Sequence, residues 1–303
     1  MENNLNRLFS EQLKFAKILI DEPMKNHTSF KIGGPVDVMV IPRCIEELVE
    51  TINICKKNDI DYYIIGNGTN LLVSDKGIRG VVIKISEGLG NISVEGTTMK
   101  AQAGALVTVA SKIALKNSLT GLEFASGIPG SIGGAVTMNA GAYGGEMKDI
   151  VTKVKCLDED GNIVEYTGDE MNFRYRGSRI GDENLIVLEA EMELQKGNFE
   201  KIEKTMRELT EKRNSKQPLQ FPSGGSTFKR PEGYFAGKLI DDSGLRGVRY
   251  GDAQISDKHC GFIVNLGNAS CKDVLTLIQL VQKVVKDNFD VCLEPEIKII
   301  GEK

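Results

Sequence analysis

The sequence predicts an α+β protein, with a nucleotide-binding part to about residue 196 and a smaller C-terminal domain. Three observations predict it. Short apolar strands alternate with amphipathic helical segments in the first half. Two glycine-rich stretches interrupt them, "GNGTNLLVSD" (66–75) and "SGIPGSIGGAVTMNAGAYGGE" (126–146). Near Lys196–Asn198 the texture changes to a charged helix, a polar loop and a separate apolar unit.

Taken in order, Val36–Pro42 reads as a strand. In Cys44–Asn58, residues Ile45, Leu48, Val49, Ile52 and Cys55 share one helical face. Tyr62–Gly66 is a second strand, which completes a small βαβ unit. Gly80–Ser86 and Asn91–Ala103 are strand-like, and Leu106, Val109, Ala110 and Ile113 mark another helix. Between Val151–Leu157 and Asn162–Tyr166 the Asp160–Gly161 pair signals a hairpin. In Leu185–Leu194 the residues Ile186, Leu188, Ala190, Met192 and Leu194 alternate with Glu189, Glu191 and Glu193, the mark of a half-buried strand. Phe199–Lys212 is a charged helix followed by a loop. Cys260–Leu266 reads as a strand. A long helix starts after Ser270, with Ser270 and Asp273 as a capping pair and Val274, Leu277, Ile278, Val281 and Val285 on its inner face. "EIKII" (296–300) closes the chain as a strand.

Composition narrows the function. The 303 residues are 41% hydrophobic and 26% charged, with a net charge of −4, so no basic field points to nucleic acid. No run of about 18 apolar residues is present and the N-terminus has no signal pattern, which predicts no membrane insertion and a cytoplasmic location. The six cysteines are scattered without a CxxC, as expected of free thiols in a reducing compartment. With two histidines and no cysteine cluster, no metal site is expected. No obligate protein partner is evident.

Glycine permits positive φ and lets a ligand approach backbone N–H groups, and successive N–H groups in a turn form an anion nest. Gly66-x-Gly68 invites a Rossmann reading, but the third glycine position is Leu71 and the following residues are strand-like. A Rossmann motif needs a helix there. Nor does a Gly-Lys-Ser/Thr of a P-loop follow. Alone, the first loop reads more readily as a plain β-turn than as a phosphate loop. The second, with Gly127, Gly130, Gly133 and Gly134, hydroxyls at Ser126 and Ser131, and Asn139 to Tyr143 beyond, reads as a long loop laid along a phosphate-bearing cofactor or as a tight packing turn.

Several further segments join these two in a fixed order: "NHTSFKIGG" (26–34), "FRYRGS" (173–178), "GGSTFKRP" (224–231), "AGKLID" (236–241), "ISDKHCGFIVN" (255–265) and "LEPEIKIIG" (293–301). The ordered set resembles the UDP-N-acetylenolpyruvoylglucosamine reductases, over roughly residues 25–301. The resemblance implies an FAD-binding fold of the vanillyl-alcohol-oxidase type in two subdomains, 1–90 and 91–196, and a C-terminal α+β substrate-binding domain, 197–303. It implies that Gly66, Asn67, Gly68, Thr69, Asn70, Leu71, Ser126, Gly127, Gly130, Ser131, Gly133, Gly134, Asn139 and Ala142 hold FAD. Some relatives of this fold attach the flavin through a His; neither glycine loop contains one, so the FAD is expected to be non-covalent.

The implied chemistry is NADPH-dependent reduction of an enolpyruvyl UDP-sugar, with hydride delivered through FAD to C3 and a proton to C2. The family's catalytic positions fall on Arg176, which would hold the substrate carboxylate, Glu296, on the carboxylate's other side, and Ser226, the proton donor. Periodicity picks out none of the three. The family's polar substrate contacts fall on Lys216, Arg230, Arg246 and His259; for His259 a structural role fits equally. Between Arg176 and Ser226 there is no Tyr, so the chain resembles the shorter subclass that lacks a tyrosine-bearing lid. Two other readings remain, an FAD oxidase of the same fold and a non-catalytic nucleotide-binding module.

Overall fold

The computed structural model describes residues 2–302. The chain forms two compact units and crosses between them after residues 20, 37, 67, 79 and 213. The first unit comprises the residues up to Ile20, Val38–Asn67 and Gly80–Arg213; the second comprises Asp21–Asp37, Gly68–Arg79 and the described residues from Asn214 onward.

A five-stranded antiparallel sheet dominates the first unit. Its strands run in the order Ile163–Thr167, Val151–Leu157, Ile186–Glu193, Thr98–Gln102, Ile92–Glu95. The alternation read in 185–194 is realised: Leu188, Ala190 and Met192 are fully buried. Val187 is buried as well, because this strand lies at the centre of the sheet. A second sheet has the order Lys17–Pro23, Pro35–Ile41, Ile78–Lys84, Tyr62–Ile65. The strands joined through the helix Ile45–Lys57 are therefore not neighbours, since Ile78–Lys84 lies between them. One large apolar cluster, from Phe9 to Leu194, fills this unit.

The glycine-rich stretch departs from the expected long loop. Ile132–Thr137 is a short α-helix capped by Ser131, and Gly141–Ala142 pairs with Gly145–Glu146 as a hairpin. Glycine weakens helices, but here it permits contact. A Cβ on Gly133 would lie 3.0 Å from the Ala103 Cβ, so a side chain there would push the helix back from that strand end by a few tenths of an ångström or roughly that. Other boundaries also move. The charged helix runs to Lys216, the strand after Cys260 is only Ile263–Asn265, and helices at Glu2–Gln12 and Ala236–Asp242 were not anticipated.

In the second unit the strands Arg249–Tyr250, Ala253–Ile255 and Ile263–Asn265 form an antiparallel sheet, with the helix Cys271–Phe289 packed against it. Ser270 and Asp273 form the expected capping box, and Val274, Leu277, Ile278, Val281 and Val285 are buried. Asp75, at the end of the first glycine loop, accepts from Cys271 N (2.7 Å) and Lys272 N (3.0 Å). A carboxylate at a helix N-terminus satisfies otherwise unpaired amides. Lys298–Ile300 pairs in parallel with Leu71–Val73. No described helix is long and apolar enough to cross a membrane, and no cluster of metal-ligating side chains occurs among the described residues.

Candidate active site

In the first unit the two glycine stretches meet. A Cβ on Gly66 would lie 2.4 Å from Ser131 Oγ, and Asn67 Nδ2 donates to the Pro129 carbonyl (2.6 Å). The bare backbone at Gly66 is what allows this approach. Ser131 Oγ accepts from Gly134 N (3.4 Å), while Ile132 N and Gly133 N already donate to the Ala105 and Ala103 carbonyls. The first turn of this helix is thus committed to the protein. A Cβ on the exposed Gly134 would meet only Ser131 Oγ, at 3.5 Å, so the surface in front of the turn is open. The two stretches thus make a glycine-lined cradle whose front is free of side chains, the room that a diphosphate needs, with donors other than these helix amides. Ser126, Gly130 and Ala142 lie half-buried in the same stretch, and Gly127 packs against Arg213.

The Asn139 side chain is engaged by the protein itself. It is 1% exposed with φ +41°, its Nδ2 donates to Glu146 Oε2 (2.5 Å) and to the Arg174 carbonyl (3.2 Å), and its Oδ1 accepts from Lys148 N (2.9 Å). Its side chain is spent on holding neighbouring backbone. One of those neighbours is the turn that carries Arg176. Arg174 and Gly177 exchange both backbone hydrogen bonds (3.0 and 3.1 Å), and Ser178 Oγ donates to the Thr137 carbonyl (2.9 Å). The glycine stretch therefore anchors the Arg176 turn.

The structure also separates the three arginines of "FRYRGSR". Arg174 forms an ion pair with Asp182 (2.8 Å), which holds the Asp182 carboxyl below its ordinary range by hydrogen bonding. Arg179 lies over the Tyr166 ring. Arg176 stands at the turn tip with φ +54°, its guanidinium 5.0 Å from the Tyr175 ring centre. A left-handed arginine costs about 1–2 kcal/mol, and such strain concentrates at functional positions.

The second unit brings Ser226, Glu296 and Asn70 into one frame. Thr227 is fully buried; its N donates to the Gly261 carbonyl (2.8 Å) and its Oγ1 accepts from Ile263 N (3.1 Å). Glu296 N donates to the Thr227 carbonyl (2.8 Å), and Phe228 bridges to Pro295. Ser226 and Glu296 thus lie on facing segments, one residue out of register. Asn70 clamps the second segment from its other side: its Nδ2 donates to the Glu296 carbonyl (3.1 Å) and its carbonyl accepts from Lys298 N (2.8 Å). Gly68, at φ +63°, lies against the His27 carbonyl, 2.0 Å from where a Cβ would stand, and its own carbonyl accepts from Ser29 N (3.0 Å). Thr69 and Leu71 are half-buried beside it.

Lys216, Arg246 and His259 also belong together. Burial, and after it the charges of Arg246 and Lys216, lower the pKa of His259. Its Nδ1 accepts from Gly261 N (3.1 Å), which leaves Nε2 as the donor of a neutral ring. Arg246 is engaged by Asp241 through both carboxylate oxygens (2.9 and 2.6 Å) and donates to the Asp257 carbonyl. Asp241, overlooked in the sequence, is what orients it; no local signal marks a pair five residues apart across a helix end. Arg230 stacks 3.9 Å over the Phe235 ring and donates to the Tyr234 carbonyl (3.2 Å).

Comparison with known proteins fits this geometry. Residues 36–167 match an FAD-binding domain family, and residues 217–300 match the C-terminal domain of UDP-N-acetylenolpyruvoylglucosamine reductase. The reductase of that name from Caldanaerobacter subterraneus subsp. tengcongensis is 56% identical over 97% of both chains. The chain belongs to the UDP-N-acetylenolpyruvoylglucosamine reductase family. The Alkaliphilus oremlandii reductase is 55% identical over 94% of both chains. The crystal structure of the Thermus caldophilus reductase superposes with a TM-score of 0.80 at 35% identity, over 94% of this chain and 98% of that one. This member of the reductase family is therefore an FAD-dependent oxidoreductase with the vanillyl-alcohol-oxidase type of FAD-binding fold and the family's C-terminal domain.

Proposed function

We propose that this reductase converts UDP-N-acetyl-3-O-(1-carboxyvinyl)-glucosamine to UDP-N-acetylmuramate, with NADPH as reductant, in peptidoglycan synthesis. The Caldanaerobacter and Alkaliphilus relatives carry the corresponding reductase name. FAD, held non-covalently, would supply the hydride transfer that carries reducing equivalents from NADPH to C3 of the enol ether. The glycine cradle around Gly66, Asn67, Gly130 and Ser131 holds the cofactor's diphosphate, with residues 68–71 continuing the loop. Three parts follow from the proposed division at residues 90 and 196, two for FAD and one for substrate.

In this reading Arg176 fixes the substrate carboxylate and offsets the charge that develops as C3 gains hydride. Glu296 borders the same carboxylate. Ser226 gives its proton to C2, a role open to a weak acid only because the acceptor is carbanion-like. Lys216, Arg230, Arg246 and His259 take the diphosphate and sugar, with His259 donating as a neutral ring through Nε2.

The observation that carries the proposal is the hydrogen bond from Glu296 N to the Thr227 carbonyl, which joins the "GGSTF" and "LEPE" segments in one frame. An FAD oxidase leaves both segments without a purpose. The test is an anaerobic titration of the purified protein. NADPH should bleach the flavin band, and the enolpyruvyl sugar nucleotide should restore it. A protein without flavin, or a reduced flavin that the sugar nucleotide does not re-oxidise, sinks the proposal.

A further inference from the structure

Arg213 lies at the end of the charged helix and was unremarkable among its neighbours in sequence. In the first unit it is half-buried against the glycine stretch. Its Cδ lies 2.9 Å from where a Cβ on Gly127 would stand, so the absence of a side chain at 127 serves the arginine stem. Tyr143, at the other end of the stretch, is close enough to act on it electrostatically, and Lys212 extends over the Tyr143 ring at 5.2 Å. Arg213 thus sits between the beginning and the end of the glycine stretch.

Its electrostatic setting is unusual. Burial is the dominant influence and lowers its pKa, and Tyr143 is the one group that opposes this; no carboxylate among the described residues does so. Every other arginine cited in the site lies against an acid, an aromatic ring or a backbone carbonyl. A half-buried guanidinium with no anion is costly and calls for one. The guanidinium fork matches phosphate oxygens, and a glycine-lined diphosphate cradle begins three residues from Gly127.

We infer that Arg213 is a cofactor-binding residue that pairs with the diphosphate of FAD, and that Gly127 is glycine in order to let it reach there. This rests on the cradle reading given above.

The test compares wild type with Arg213→Gln by fluorescence titration of FAD into deflavinated protein, at low and high salt, with melting curves of the flavin-free forms. The inference expects FAD affinity to fall about tenfold or more, the salt dependence of binding to flatten, and the flavin-free melting temperature to stay put. Affinity within about twofold of wild type, with the salt dependence intact, overturns it. So does a change confined to the KM of NADPH or of the sugar nucleotide, which would assign the guanidinium to the second ligand. If Arg213→Gln does not fold, Arg213→Lys decides: it keeps the stem and the charge but loses the fork. The inference then expects a loss of about threefold or more with the salt dependence retained, and unchanged affinity overturns it. A wild-type protein that takes up no FAD would instead refute the cradle.

Discussion

Replacing Asn139 should cost more stability than any glycine-loop ligand would suggest. The side chain is buried and makes three hydrogen bonds, to Glu146, to the Arg174 carbonyl and from Lys148 N. In Asn139→Ala the Glu146 carboxylate keeps Lys148 Nζ as a partner at 2.6 Å. The Arg174 carbonyl keeps Gly177 N as a donor (3.1 Å), so Lys148 N is the backbone group left stranded. A stranded backbone group costs about 1–3 kcal/mol. Alanine at φ +41° adds about 1 kcal/mol that asparagine tolerates better. The sum is about 2–4 kcal/mol, a sizeable part of the 5–15 kcal/mol or so typical of a folded protein. Asn139→Gly removes the same hydrogen bonds but relieves the left-handed backbone, so it should be about 1 kcal/mol less harmful than alanine. Urea unfolding followed by circular dichroism measures both. A loss under about 1 kcal/mol for alanine, or a glycine variant as unstable as alanine, refutes the reasoning. Because the Arg176 turn hangs on this residue, turnover should fall in both variants even where they remain folded.

Ser226→Ala should leave flavin reduction by NADPH largely intact and slow re-oxidation by the sugar nucleotide by two orders of magnitude or roughly that; stopped-flow absorbance of the two half-reactions separates them, and equal losses would remove the proton-donor assignment. Gly68→Ala places a Cβ against the His27 carbonyl at a positive φ, so it should yield protein that melts several degrees lower; an unchanged melting curve would contradict the loop geometry. Cys55, Cys156 and Cys271 are buried, with thiols that burial pushes up to about 12, whereas Cys292 is exposed. A chromogenic disulfide reagent at about pH 8 should therefore titrate Cys292 rapidly and the buried three only on unfolding, which mass spectrometry of labelled peptides would check.

Much of the scaffold was legible because its causes are local. The Asp160–Gly161 turn, the alternation ending in Met192 and the Ser270–Asp273 cap each depend on residues within a few positions. The helix Ile132–Thr137 was not legible, because what makes glycine acceptable there is the closeness of Ala103, far away in sequence. The N-terminal helix did leave a signal, in Leu5, Leu8 and Phe9, which pack on the main cluster. The motifs pointed to the right segments of the site but could not assign duties within them. Asn139 and Asn70, grouped with the cofactor ligands by position, use their amides to brace the Arg176 turn and the Glu296 segment. Arg246 is held by Asp241, a partner no periodicity predicts.

The parallel pairing of Leu71–Val73 with Lys298–Ile300 bears on how the protein comes into being. Those residues are more than two hundred positions apart, so during synthesis the early strand waits until all the residues between them have been made. All segments of the first unit have been made once Arg213 has been translated, whereas the second cannot close until the strand Lys298–Ile300 arrives. Glu296 and the Asn70 that braces it are joined in that last event. A prematurely terminated chain would then carry the glycine cradle but no assembled Ser226–Glu296 frame, and the unmatched edge of Leu71–Val73 would be available for quality-control factors to recognise.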